Sequence, residues 1–177
     1  WIENRQAPNG EFGDAWGDDT DLIQNFPKLA LIGDPDGRIR EAARKVADGV
    51  YEAGLIERGI NARLTDYLHA YEEGVNAQPV MGLIDYGNPH FIERMMEAAH
   101  TVDTFLTTKD PKGRRRFRSA YYGAGEVRDK GKYGYDHPSN ALFCHPALFL
   151  SYYSRHPRAL RFLQEWIDGW LDIYAEN

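Results

Sequence analysis

Apolar residues recur along most of the chain at intervals of three and four, the period of a helix that buries one face. The first stripe is Leu22, Ile23, Phe26, Leu29 and Ile32, preceded by the capping residues Asp18, Asp19, Thr20 and Asp21 and stopped by Gly33. Pro27 lies inside it, so the spacing predicts either one kinked helix or two short ones. After the turn Asp34-Pro35-Asp36-Gly37, a second stripe runs through Ile39, Ala42, Ala43, Val46, Val50 and Tyr51, with Arg38, Arg40, Glu41, Arg44 and Lys45 facing out. Leu64, Leu68 and Tyr71 mark a third helix, stopped near Gly74, and a short helix over 78–86 carries Pro79 in its first turn.

Asn88 as cap and Pro89 at the first helical position open the clearest helix, with Phe91, Ile92, Met95, Met96, Ala99, Val102, Phe105 and Leu106 as its stripe. Pro138 opens another through Leu142, Phe143, Leu148, Phe149 and Tyr152, with Pro146 offering a restart. Pro157 opens the last, which carries Leu160, Leu163, Trp166, Ile167, Trp170 and Leu171. Residues 1–18 and 107–137 lack the period, although 116–122 alternates enough for a short strand or an extended loop. The pattern therefore predicts a mostly α chain of antiparallel helical hairpins, with the two long loops gathered on one side. Loops of that length usually carry function.

Composition narrows the classes. The 177 residues suffice for one domain with a real core, and no apolar run approaches the roughly 20 residues of a membrane span. A net charge of −6 argues against nucleic-acid and anionic-membrane partners, which need a broad basic field. The single cysteine, Cys144, excludes an internal disulfide and a cysteine-rich zinc site, and its apolar surroundings mark it as a buried thiol. No fixed-period repeat, βαβ alternation or Gly-rich phosphate loop appears. Eleven tyrosines and four tryptophans supply rings with an apolar face and a polar edge, which suit sugars as well as cores.

Three stretches carry candidate chemistry. Residues 9–21 crowd Glu11, Asp14, Asp18, Asp19 and Asp21 together with Phe12 and Trp16 among three glycines, just before a helix. Asp18 and Asp19 are candidates for split acid and base roles, and the same carboxylates are a weak candidate for Ca²⁺, although the spacing is not that of an EF-hand. Capping and the helix dipole alone explain part of this acidity. In the second stretch Asp66, His69 and Glu73 share one helical face and Thr65, His69 and Glu72 a neighbouring one, which would orient His69 and raise its pKa. The third is 114–135, where Arg118, Tyr121, Tyr122, Glu126, Tyr133 and Tyr135 follow a run of arginines able to clamp a carboxylate. A solvated charge run is the ordinary alternative there.

Asn9-Gly10-Glu11-Phe12-Gly13, Trp16-Gly17-Asp18-Asp19-Thr20-Asp21, the run Thr65 to Gly74, and Asp85-Tyr86-Gly87-Asn88-Pro89 together resemble the (α/α)-toroid carbohydrate-active enzymes, which include polysaccharide lyases and exo-acting glycoside hydrolases. The resemblance implies a segment of a larger toroid, completed by other parts of the same polypeptide, with ligand residues on loops at one mouth of the ring. It also implies an extracellular or periplasmic setting. Expressed alone, such a segment is expected to be poorly soluble. A lyase of this kind would remove the C5 proton of a uronate-containing polysaccharide, with His69 and Arg118 neutralising the carboxylate and Tyr122 or Tyr121 moving protons. A hydrolase would instead pair Asp18 or Asp19 with Glu72 or Glu73. Trp16, Asp14, Glu73, Tyr121 and Tyr133 are the expected sugar contacts, with no cofactor required. The arginines favour the lyase, and a non-catalytic helical module for glycans or proteins is the rival.

Overall fold

In the computed structural model residues 2–13 and 15–176 are described, and the chain is mostly helical with little sheet. The substrate contact expected at Asp14 lies outside the described residues. The N-terminal loop holds a single helical turn, α1 (Ile2–Arg5), and then α2 (Trp16–Ile23), α3 (Phe26–Gly33) and α4 (Arg38–Glu52) follow. The Pro27 ambiguity resolves as two helices. Proline sits in the first turn of α3, where its missing N–H costs nothing. Asp34 caps α4 by accepting from the N–H groups of Ile39 and Arg40, both at 3.0 Å.

A tight hairpin joins β1 (Ile56–Glu57) to β2 (Ile60–Asn61), with Arg58 and Gly59 both at positive φ, as a two-residue turn requires. Next come β3 (Thr65–Asp66), α5 (Tyr67–Ala70), a π-helical turn Tyr71–Val75, α6 (Ala77–Ile84) and α7 (Pro89–Thr101). A second π turn leads from α7 into β4 (Thr107–Lys109), β5 (Arg115–Phe117), β6 (Tyr121–Gly123) and β7 (Glu126–Val127). Two 3₁₀ turns then lead to α8 (His145–Ser154) and α9 (Pro157–Glu176). The strands form three small antiparallel sheets, β1-β2, β4-β5 and β3-β6-β7.

The core runs from α4, which buries Ala42, Ala43, Val46, Ala47 and Val50, through α6 with Val80 and Met81 to α7 with Phe91 and Met95. It continues into α8 and α9 through Phe149, Leu150, Ala159 and Phe162. Small residues set the closest approaches. A Cβ at Gly49 would lie 2.3 Å from the Trp16 ring, and one at Gly82 would lie 2.7 Å from Phe149. Some apolar side chains stay outside this core: Leu31 and Ile32 on α3 are 88% and 86% exposed, and Tyr174 on α9 is 85% exposed. No described helix is long and apolar enough to cross a membrane.

Candidate functional site

Both polar loops meet on the segment from Thr65 to Val75. On one side α2 docks against the π turn, where the Thr20 hydroxyl lies 2.6 Å from the Glu72 carbonyl oxygen and 2.8 Å from that of Gly17. Asn76 donates to Asp21 at 2.8 Å, which fixes the same corner. On the other side β3 pairs with β6, setting Thr65 opposite Tyr122 and Asp66 opposite Tyr121.

The expected helix over 64–74 is shorter and differently phased. Thr65 and Asp66 are strand, and Asp66 is the N-cap of α5, accepting from the N–H groups of Leu68 and His69. The following turn is kinked at Gly74, which leaves helical geometry at φ 128°. Glu72 and Glu73, consecutive in the chain, face different ways. Glu73, expected to share a face with His69, turns into the protein, is 8% exposed and pairs with Arg63. Its second oxygen, Oε2, is buried with no hydrogen-bond partner among the described residues. Glu73 and Arg63 line a cleft of about 350 Å³ together with Trp16, Gly17, Glu11 and Leu55. Trp16 and Glu73, both expected to contact sugar, are thus brought together.

Glu72 stays half-buried at the acidic corner. Burial first, then the negative charges of Asp21, Asp66 and Asp18, push its pKa above the usual carboxylate value, with His69 opposing. His69 is exposed, and its Nδ1 lies 2.6 Å from Asp66 Oδ2. That hydrogen bond, with the Asp66 charge and a smaller push from Glu72, raises the imidazole pKa. Burial would raise the Asp66 carboxyl, but its bonds to His69 and Leu68 outweigh it and hold the group below its ordinary value. One surface therefore carries Asp18, Asp21, Glu72, His69 and Asp66. Among the described residues, no group of three or more His, Cys, Asp or Glu side chains is placed to hold a metal ion.

Asp18 and Asp19 face different ways. Consecutive residues on a helix point about 100° apart, and here Asp18 is exposed while Asp19 is 3% exposed and accepts from the Phe12 N–H at 3.0 Å. Asp19 ties down the Gly-rich loop. The tyrosine pair divides in the same way, because neighbours on a strand face opposite sides. Tyr122, the expected proton-transfer group, has no exposed surface, and its hydroxyl donates to Asn140 at 3.0 Å. Burial pushes its phenol well above the ordinary value. Tyr121 shares its sheet face with Asp66 and stacks near Tyr133, with ring centroids 4.7 Å apart.

Arg118, the expected carboxylate neutraliser, already has partners within the protein. It reaches Asp129 at 2.5 Å and the Phe105 carbonyl oxygen at 3.1 Å, so its guanidinium is occupied by the protein itself. Sequence reasoning missed Arg63, Arg128 and Ser119. Arg128 donates its N–H to the Tyr121 carbonyl, which extends the β6-β7 ladder, and its guanidinium lies 5.0 Å from the Tyr121 ring centre. Ser119 is fully buried and has its hydroxyl within 3.0 Å of the carbonyls of Tyr121, Arg128 and Tyr133. A serine between an arginine and an alanine carries no periodic signal that would announce such a hub.

Comparison with protein-family models, curated proteins and solved structures finds no match. The case for a function stands on the residues and their geometry.

Proposed function

We propose that the chain is part of a glycan-cleaving enzyme that works by general acid–base hydrolysis, with Glu72 as the proton donor and Asp18 as the second carboxylate. The observation that carries the reading is the Glu72 carboxyl, raised by burial and by Asp21, Asp66 and Asp18 at the corner where the two loops converge. A raised carboxyl holds its proton to a higher pH than an ordinary one, the property a general acid needs. Glu72 gives its proton to the glycosidic oxygen, and Asp18 takes one from the attacking water. His69, oriented by Asp66, binds sugar hydroxyls at the edge of the site.

The wider architecture belongs to the same proposal. The exposed apolar surfaces of α3 and α9 suit docking against further helical hairpins, as in an (α/α) toroid. Elimination is the second reading. Tyr121 and Arg128, side by side on the Asp66 face, have the residue types that Tyr122 and Arg118 were expected to supply.

Replacing Glu72 by Gln tests the main reading, because the backbone carbonyl that holds Thr20 is untouched. The expected result is an unchanged fold and a kcat on susceptible glycans lowered by about 10²–10⁴, the usual contribution of one proton-transfer group. Full activity of Glu72→Gln would remove Glu72 from the chemistry.

A further inference from the structure

The arginine run 114–118 is spent inside the protein. Arg114 pairs with Asp110 and Glu176, Arg115 with Asp103 and Glu165, Arg116 with Asp136, and Arg118 with Asp129. The next cations along the chain are treated differently. Lys130 and Lys132 are exposed and make no ion pair among the described residues, and the nearest carboxylate oxygen to Arg128, on Glu126, is 4.0 Å away. The one acidic residue in that loop, Asp129, is already neutralised by Arg118.

Two of these cations sit on aromatic rings. Arg128 lies 5.0 Å from the Tyr121 centroid and Lys132 Nζ 4.9 Å from the Tyr133 centroid, distances at which a cation is held by the ring quadrupole. The loop beneath them is closed tightly: Ala120 donates to the Tyr133 carbonyl at 3.0 Å, and a Cβ at Gly134 would lie 2.3 Å from the Asp129 carbonyl oxygen. The backbone positions of the platform are therefore fixed before any ligand arrives. It adjoins the acidic corner, since Asp66, Tyr121 and Arg128 lie side by side across β3, β6 and the end of β7.

We infer that Tyr121, Arg128, Lys130, Lys132 and Tyr133 form a subsite for a sugar residue that carries a negative charge, a uronate or a sulfated unit. A sugar ring stacks its C–H face on tyrosine, and a guanidinium grips a carboxylate or sulfate through two parallel hydrogen bonds. On a chain of net charge −6, two lysines with no ion pair among the described residues and an arginine held only at 4.0 Å by Glu126 are a local and selective attraction, too few for binding a polyanion at large. The inference rests on the glycan reading but is indifferent to how the bond is broken.

Native gel electrophoresis of the full chain through gels containing polygalacturonate or alginate, each beside its methyl-esterified form, tests it without requiring cleavage. The acidic polymers should retard the chain and the esterified ones should not. Replacing Arg128, Lys130 and Lys132 together by Ala should weaken the retardation roughly tenfold, and Tyr133→Ala should weaken it as well. Removal of three other exposed cations, Arg5, Lys28 and Arg161, should leave it unchanged. Equal retardation by esterified polymer, no effect of the triple substitution, no retardation at all, or equally tight binding of a single-stranded oligonucleotide would each overturn the inference. Charge-dependent binding that persists while Glu72→Gln cleaves at full rate would sink the hydrolytic reading alone.

Discussion

The hairpin carrying Arg114, Arg115 and Arg116 and the corner carrying Asp18, Asp21 and Glu72 are each dense in one sign of charge, and the fold treats them in opposite ways. Every guanidinium of the hairpin meets a carboxylate from another part of the chain, and Arg116 reaches Asp136, whose side chain is 1% exposed. At the corner, burial first and then the neighbouring Asp21, Asp66 and Asp18 raise Glu72. A partnered cluster lowers the energy of the fold. A cluster of like charges, held together by Thr20, Asn76 and the π turn, raises it, and such concentrated cost marks a place shaped by something besides stability.

The contrast breaks most visibly at Arg116. Truncation to Ala leaves Asp136 buried with only Asn140 and Trp166 as donors, so stability measured by denaturant should fall by about 3 kcal/mol. Turnover per folded molecule should stay the same. A loss of turnover without a loss of stability would move the hairpin into the site. Tyr122→Phe removes one buried hydrogen bond and should cost about 1 kcal/mol of stability, with kcat unchanged. A drop in kcat of a hundredfold would restore the phenol to the chemistry.

The smallest effect concerns the Asp66–His69 pair. Its stabilisation through His69, whose folded pKa is raised, is complete below the ordinary histidine value and is lost as pH rises through the raised one. Its stabilisation through Asp66, whose folded pKa is lowered, is complete above the ordinary aspartate value and is lost as pH falls through the lowered one. The pair is therefore fully effective between about pH 4 and 6.5. Asp66→Asn should return the His69 titration, followed by NMR, toward its ordinary range, and an unmoved titration would show that Asp66 does not set it.

Periodicity made most of the helices legible, including the caps at Asn88 and the proline starts at Pro89 and Pro157. It also pointed to the segment where the loops converge. What it left out is the phase. The helix over Tyr71–Val75 kinks at Gly74, and no count of three and four foresees that break. Likewise, Asp18 and Asp19, or Tyr121 and Tyr122, have equal weight in a sequence until a helix or a sheet assigns their faces. The arginine run attracted the reading of a carboxylate clamp because its partners, Asp103, Asp129, Asp136, Glu165 and Glu176, are scattered through the chain and met only in space.

The most direct test of the acid–base account is the chemistry of the product. Acidic and neutral polysaccharides are digested while reducing ends and the ultraviolet absorbance of an unsaturated uronate are followed together, with wild type and Glu72→Gln side by side. Hydrolysis by Glu72 and Asp18 predicts that reducing ends appear without that absorbance and nearly vanish in the variant. Absorbance rising in step with reducing ends, undiminished by Glu72→Gln, would contradict the account and hand the reaction to elimination on the Tyr121 and Arg128 face.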